Sequence, residues 1–203
     1  MKKILREYIE LPLGENVVKN KSGNLILKNV ILSVTETKNN NSRVYPKKIL
    51  ERELGTYLSI IKERRALGEL DHPEESTVQL RNASHIITEA WWDPKNPKIV
   101  RGNIEILNTP MGKIFESLYK DRIKMGVSSR GVGSLLQEGE NLIVQDDYKL
   151  ICWDIVSEPS TSGAWFQTIS EGYSPFKLKE LKNYNIIKED LLRNYNEFLK
   201  GVE

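Results

Sequence analysis

The chain has one cysteine, Cys152, in 203 residues, so it can form no intrachain disulfide and no cysteine-based metal cluster. It has only two histidines, His72 and His85. They stand thirteen positions apart, without a cysteine pair or the His-x-x-x-His spacing of a helical zinc site, so no metal is expected. Neither sign of charge dominates: 30 basic and 28 acidic residues leave a net +2, without the basic surplus that nucleic-acid binding needs. Trp91 and Trp92 are therefore expected in the core or an interface rather than stacked on bases. No apolar run approaches the roughly 20 residues of a membrane span. The opening Met1-Lys2-Lys3-Ile4-Leu5-Arg6-Glu7 is basic but lacks the apolar core of a signal peptide. Together these absences predict a cytoplasmic protein that engages neither nucleic acid nor membrane. No internal repeat or low-complexity tract is present.

What remains is an ordinary globular composition, 39% hydrophobic and 29% charged, long enough to bury one substantial core. The stretch from Asn24 to Thr37 is rich in Leu, Ile and Val and reads as strand. Asn39-Asn40-Asn41-Ser42 reads as loop, and Pro46 suits a first helical turn. Leu50, Leu54, Tyr57, Leu58 and Ile61 follow as one apolar helical face, with the helix ending near Leu67-Gly68 and a loop over Gly68 to Glu75. Val78 to Trp92 is strand-like. Val100, Gly102, Ile104 and Ile106 alternate with polar residues as in a half-buried strand. Thr109-Pro110 opens a helix with Ile114, Leu118 and Tyr119 as its apolar stripe. Asn141 to Val156 breaks at Asp146-Asp147, as in a hairpin. Pro159 to Gly163 reads as loop. From about Asn185 the chain reads as an amphipathic helix carrying Ile187, Leu191, Tyr195 and Phe198. Strands with single intervening helices predict an α+β fold with a mainly antiparallel sheet or small barrel. The expected division is a domain over 1–168 and a helical tail over 169–203.

The most informative stretch is Lys124-Met125-Gly126-Val127-Ser128-Ser129-Arg130-Gly131-Val132-Gly133-Ser134. Glycines let a backbone come close to its neighbours. A serine hydroxyl can act as a nucleophile if a base sits nearby. The candidate base is His72 in Gly68-Glu69-Leu70-Asp71-His72-Pro73, because histidine titrates near about 6.5 and can accept a proton at neutral pH. The plainer readings are a loop histidine and a bulged strand. In an extended segment Ser128 and Ser129 point to opposite faces, so only one can meet His72. A Ser-His pair also needs a third group to orient the imidazole. Asp154, set in the apolar Leu150-Ile151-Cys152-Trp153-Asp154-Ile155-Val156, is costly to bury unless paired, and an imidazole N–H would pair it. An edge-strand Asp facing solvent is the alternative. His85 is the rival third member, Asp71 lies too close in sequence to orient His72 easily, and Glu69 is a weaker candidate.

These two segments, Gly68-Glu69-Leu70-Asp71-His72-Pro73 and Gly126-Val127-Ser128-Ser129-Arg130-Gly131, resemble the two signatures of the prohead core protein proteases of large tailed phages, a family related to the herpesvirus assemblins. Asn41-Ser42-Arg43-Val44-Tyr45-Pro46-Lys47 resembles that family's entry into its first helix, and Ala90-Trp91-Trp92 its central strand. The resemblance runs from about Asn39 to Phe166. It implies an assemblin-like β-barrel surrounded by helices, with Ser128 as nucleophile and His72 as general base. It places the third member on a later strand, hence Asp154 ahead of His85, although assemblins use a histidine there. Ser129 is then expected to point away and bond backbone. Backbone N–H groups around Arg130 and Gly131 are the candidate oxyanion donors. Arg130 would contribute its guanidinium or brace the loop through an ion pair.

The resemblance further implies a cofactor-free serine endopeptidase that cleaves scaffold or core proteins and the major capsid protein. It would act in the host cytoplasm, inside the assembling prohead, as an expected homo-oligomer. Cleavage after Glu in Leu/Ile-x-Glu is implied as well. Ile169-Ser170-Glu171, Leu178-Lys179-Glu180 and Ile187-Lys188-Glu189 would make the tail a removable segment by self-processing. Two other readings stay open: a non-catalytic scaffold or core protein that kept the fold, and a small esterase or amidase. The second is weakened by the absence of a Gly-x-Ser-x-Gly elbow.

Overall fold

The computed structural model describes residues 3–10, 17–39, 41–73 and 75–157. In chain order the elements are β1 (Lys3–Glu10), β2 (Val17–Lys19), β3 (Leu25–Val34), β4 (Arg43–Val44), α1 (Lys47–Lys62), β5 (Leu67–Glu69), β6 (Ala83–Trp92), β7 (Ile99–Ile106), α2 (Pro110–Lys120), β8 (Gly126–Gly133), β9 (Leu135–Glu138), β10 (Asn141–Val144) and β11 (Lys149–Val156). A 3₁₀ turn covers Leu80–Asn82. The expected loop at 159–163, the C-terminal helix and the tail lie outside the described residues.

The architecture is α+β, with mostly antiparallel strands and two helices among the described residues. Three sheets form, ordered β2-β3-β7-β6-β5, β1-β8-β11 and β4-β10-β9. The only parallel ladder among them is β4 on β10. The expected barrel does not close among these residues. The five-stranded sheet stops at β2 and β5, three residues each, too short to carry a ladder round to the next sheet. Its centre is β7, not the Ala90-Trp92 strand β6. A single bridge, Leu70 to Ile155, links the β5 end to β11.

Helix α1 buries Leu50, Leu54 and Tyr57 as the periodicity predicts, while Leu58 is 43% exposed. Glu53 takes a place on the buried face because its carboxylate accepts the Leu150 N–H at 2.9 Å, which ties α1 to β11. The helix stops at Lys62, earlier than its pattern suggests. Arg64 adopts a left-handed conformation (φ 59°), and Leu67–Glu69 then pairs with β6 instead of forming a loop. In α2 the Thr109 hydroxyl accepts the Gly112 N–H at 3.1 Å as a cap. The buried residues there are Gly112 and Phe115, and Ile114 is exposed. The reason is close approach: a Cβ on Gly112 would collide with the Leu107 carbonyl, so that face sets the contact. Over Val78 to Trp92 the strand begins only at Ala83, after the 3₁₀ turn.

Between the sheets and helices sits a core that includes Leu27, Leu32, Leu54, Ile87, Ile104, Phe115 and Val127. Trp153 packs edge-on against Tyr57, ring centroids 4.8 Å apart, and donates its indole N–H to Ser33 Oγ at 3.1 Å. Aromatic packing of this kind adds about 1 kcal/mol beyond area burial. It fixes β11 from below, which matters because the next residue is Asp154.

Candidate active site

Strand β8 is the middle strand of β1-β8-β11. Across its ladder with β11, Ser128 pairs with Asp154, Ser129 with Trp153 and Arg130 with Cys152. Period-two alternation puts Ser128, Arg130, Cys152 and Asp154 on one face and Ser129 with Trp153 on the other. The serine and the acid are thus neighbours by register alone.

His72 reaches the same face from β5. After the Leu70–Ile155 bridge, the Asp71 N–H donates to the Ile155 carbonyl at 2.7 Å, and Asp71 itself adopts φ 64°. That left-handed turn, which Asp tolerates better than most residues, swings the following residue over β11 and β8. The His72 ring then stands between the two strands. Its Nδ1 is 2.8 Å from Asp154 Oδ2 and its Nε2 is 2.6 Å from Ser128 Oγ. Ser128 is 1% exposed and Asp154 fully buried, while the His72 side chain keeps 15% exposure.

Burial alone would push the Asp154 carboxyl up, but the His72 hydrogen bond and the Arg130 charge outweigh it and hold the group below the usual carboxylate range. An ionised carboxylate only accepts hydrogen bonds. Nδ1 of His72 therefore carries the proton, and Nε2 is left to accept the Ser128 hydroxyl. Chemically, this arrangement can draw a proton from a serine hydroxyl and stabilise the imidazolium that results.

Arg130 is fully buried and spends its donors on this cluster. Nε donates to Asp154 Oδ2 at 2.8 Å, Nη1 to the Glu75 carbonyl at 2.8 Å, and Nη2 to Asp154 Oδ1 and Cys152 Sγ at 3.2 Å each. Nη2 also pairs with Glu69 Oε2. Asp154 Oδ1 further accepts the Glu69 N–H at 3.0 Å and the Cys152 thiol at 3.1 Å. Burial and the adjacent Asp154 push that thiol well above its ordinary range, so it remains a neutral donor.

Several expected placements differ. Ser129 Oγ does not bond backbone: it is buried with no hydrogen-bond partner, because its face of β8 turns to the apolar side occupied by Trp153. Arg130 and Gly131 lie on the central strand β8, in register with Arg6 and Leu5 of β1 and with Cys152 and Leu150 of β11. Gly131 makes room for the Tyr148 ring, which a Cβ would strike. His85 touches neither His72 nor Ser128. Its Nδ1 is 2.8 Å from Ser84 Oγ and its Nε2 2.9 Å from the Trp153 carbonyl, and burial lowers its pKa to about 4. Glu69, ranked low as an orienter of His72, is a fully buried partner of Arg130 instead. The clue available in the sequence was Arg130 itself: an arginine buried in a strand needs more than one acceptor set. Among the described residues no group of acidic, histidine or cysteine side chains could hold a metal ion, and no helix is long and apolar enough to cross a membrane.

Residues 9–173 match the family model of the prohead core protein serine proteases, a span that contains every residue of this cluster. The chain is 34% identical over 142 residues to the prohead core protein protease of Enterobacteria phage T4. That alignment covers 66% of this chain and 65% of the curated relative's length. Among solved structures, the bacteriophage T4 capsid assembly protease is similar with a TM-score of 0.68 at 29% identity, over 78% of this chain and 99% of that one.

Proposed function

We propose a function from one premise: the chain belongs to the prohead core protein serine protease family. It is a serine endopeptidase of capsid maturation, acting on scaffold or core and major capsid proteins inside the assembling prohead, in the host cytoplasm. The observation that carries this reading is the run of two short hydrogen bonds from Ser128 Oγ to His72 Nε2 (2.6 Å) and from His72 Nδ1 to Asp154 Oδ2 (2.8 Å). Ser128 attacks the scissile carbonyl as His72 removes its proton. The tetrahedral intermediate collapses to an acyl-enzyme while His72 passes that proton to the leaving amine. Water, activated by the same imidazole, then releases the acyl group. Asp154 keeps His72 in the tautomer that can accept from Ser128. The mechanism uses no cofactor.

Incubating the purified chain with the phage's own scaffold protein, beside a Ser128→Ala control, tests the reading. Cleavage by the wild type and none by the variant is expected. No cleavage by either identifies a non-catalytic core protein, and equal cleavage by both removes Ser128 as the nucleophile. Self-processing after Glu171, Glu180 or Glu189, all outside the described residues, belongs to the same proposal. Intact-mass spectra over time should show fragments ending at those residues in the wild type and none in Ser128→Ala. Full-length chain that persists while scaffold is digested removes this part.

A further inference from the structure

The cluster under His72 holds two charged groups more than the Ser-His-Asp arrangement requires. Asp154 and Glu69 are both carboxylates, Arg130 is the one cation between them, and all three are fully buried. Glu69 is tied at four points. Its Oε2 pairs with Arg130 Nη2, and its N–H donates to Asp154 Oδ1 at 3.0 Å. Its Oε1 accepts the Gln79 N–H at 2.9 Å, closing the loop that carries His72. Finally, a β-bulge between Gly68 and Glu69 re-aims the residue as β5 leaves β6. A buried anion is retained only where it is paired and hydrogen-bonded, and this one meets both conditions.

We propose that Glu69 is a positioning residue for the Ser128–His72–Asp154 constellation: it anchors the Arg130 guanidinium against Asp154, and its charge makes the buried cluster neutral only when His72 holds a proton. With neutral His72, two carboxylates and one guanidinium leave the cluster at −1. Proton transfer from Ser128 to His72 brings these four side chains to zero, the balancing negative charge passing through the Ser128 oxygen to the tetrahedral oxyanion on the substrate. Arg130 and Asp154 alone would start at zero and end at +1, so Arg130 would oppose the imidazolium at the moment it forms. Glu69 cancels that opposition while leaving Arg130 free to hold Asp154 rigid. Coulomb interactions in a dry site are strong enough for one such charge to matter.

Among the described residues, the other titratable groups turned toward this cluster do not replace the Glu69 charge. Cys152 on β11 and Tyr57 on α1 are neutral, both pushed up chiefly by burial. His85 on β6 is neutral above about pH 4. Asp71, beside His72, is exposed and screened by water. The Glu75 contact to Arg130 is through its backbone carbonyl.

The inference rests on reading Ser128 as nucleophile and His72 as base. Its test is Glu69→Gln, an isosteric change that leaves Arg130 facing Asp154 and orphans no buried charge, with Glu69→Asp as the charge-retaining partner. The first readout is kcat/KM against pH for the full chain on a fluorogenic peptide whose acyl side ends in Leu-Lys-Glu. Glu69→Gln should lose at least about tenfold in kcat, and its acid limb should move down by about one pH unit. Glu69→Asp should keep the acid limb of the wild type. A merely structural Glu69 predicts lower activity or stability with the acid limb unmoved, and that result overturns the proposal. The second readout needs no turnover: NMR titration of the His72 imidazole in a Ser128→Ala background, where Glu69→Gln should move the midpoint down by a similar amount. A wild-type chain that cleaves nothing while the NMR midpoint still moves refutes the protease reading and keeps the charge relationship. A midpoint that stays put refutes this inference whatever the activity. If Glu69→Gln does not fold, the double variant Glu69→Gln/Arg130→Gln removes the pair without a net change in charge. It should keep the acid limb within about 0.3 pH unit while kcat falls, and an acid limb that shifts with it overturns the proposal.

Discussion

Ser128 and Asp154 are direct partners across the β8–β11 ladder, and the His72 side chain bonds to both, at 2.6 Å and 2.8 Å. The strand pair sets the separation of hydroxyl and carboxylate, and the Asp71 turn lowers the imidazole between them. Three residues from three parts of the chain are therefore held by sheet register and one tight turn.

If these residues act as a unit, removing either reactive member abolishes the unit. Ser128→Ala and His72→Ala should each lower kcat on scaffold protein by about 10⁴–10⁶-fold. Ser129→Ala should stay within about tenfold, because Ser129 Oγ lies on the opposite face with no hydrogen-bond partner. An inactive Ser129→Ala beside an active Ser128→Ala reverses the assignment of the nucleophile.

Asp154→Asn should cost at least about 10²-fold in kcat by favouring the wrong tautomer of His72. It also removes one of the two anions that face Arg130, so thermal unfolding measured alongside should show a lower Tm. His85→Gln should stay within about tenfold in kcat, since the His85 ring bonds only Ser84 and the Trp153 carbonyl. Severe loss in His85→Gln with mild loss in Asp154→Asn points to a Ser-His-His site.

Stability should fall with acid in two separate steps. Burial lowers the His85 pKa to about 4, whereas in the unfolded chain it titrates near about 6.5. Between these values the unfolded state binds the extra proton, so folding weakens as pH drops through that window. Urea unfolding in the Ser128→Ala background should show a loss of about 2 kcal/mol on going from pH 7.5 to pH 5. His85→Gln should flatten that step. The Asp154 carboxyl is also lowered, so the stability it contributes is present above the ordinary carboxylate range and disappears only below it, at its lower folded pKa. A pH 7.5-to-5 loss that survives in His85→Gln contradicts the assignment.

Gly68→Ala should reach the site without touching it. A Cβ on Gly68 would collide with His85 Nε2 and the Trp153 carbonyl, where β5 crosses β11. Overpacking of this kind costs about 1–3 kcal/mol. Here it pushes apart the strands that carry His72 and Asp154, so kcat and Tm should drop together. An unchanged Tm shows that the crossing is looser than described.

Some of this was legible in the sequence and some was not. The alternation around Val100–Ile106 and the Thr109-Pro110 cap are local signals, and local signals fixed β7 and the start of α2. Strand period two says that only one of Ser128 and Ser129 can meet His72, and the resemblance to the family, not the periodicity, selects Ser128. The choice between Asp154 and His85 could not come from the residues alone, because it depends on which strand pairs with β8. Barrel closure is not legible for a related reason: it depends on how far the short edge strands β2 and β5 extend. The place of Glu69 is not legible because its partner, Arg130, is sixty-one positions away, and only the fold shows that one guanidinium serves two carboxylates. The end of α1 was misplaced because the Arg64 turn carries no glycine to announce it.

The most direct test of the account is covalent labelling of the full chain with a fluorophosphonate, followed by peptide-level mass spectrometry. The reagent reports only a serine whose hydroxyl is activated by a neighbouring base. The account predicts a single adduct on Ser128, absent in His72→Ala and strongly slowed in Asp154→Asn. Absence of any adduct, or an adduct on Ser129 that persists in His72→Ala, would contradict it.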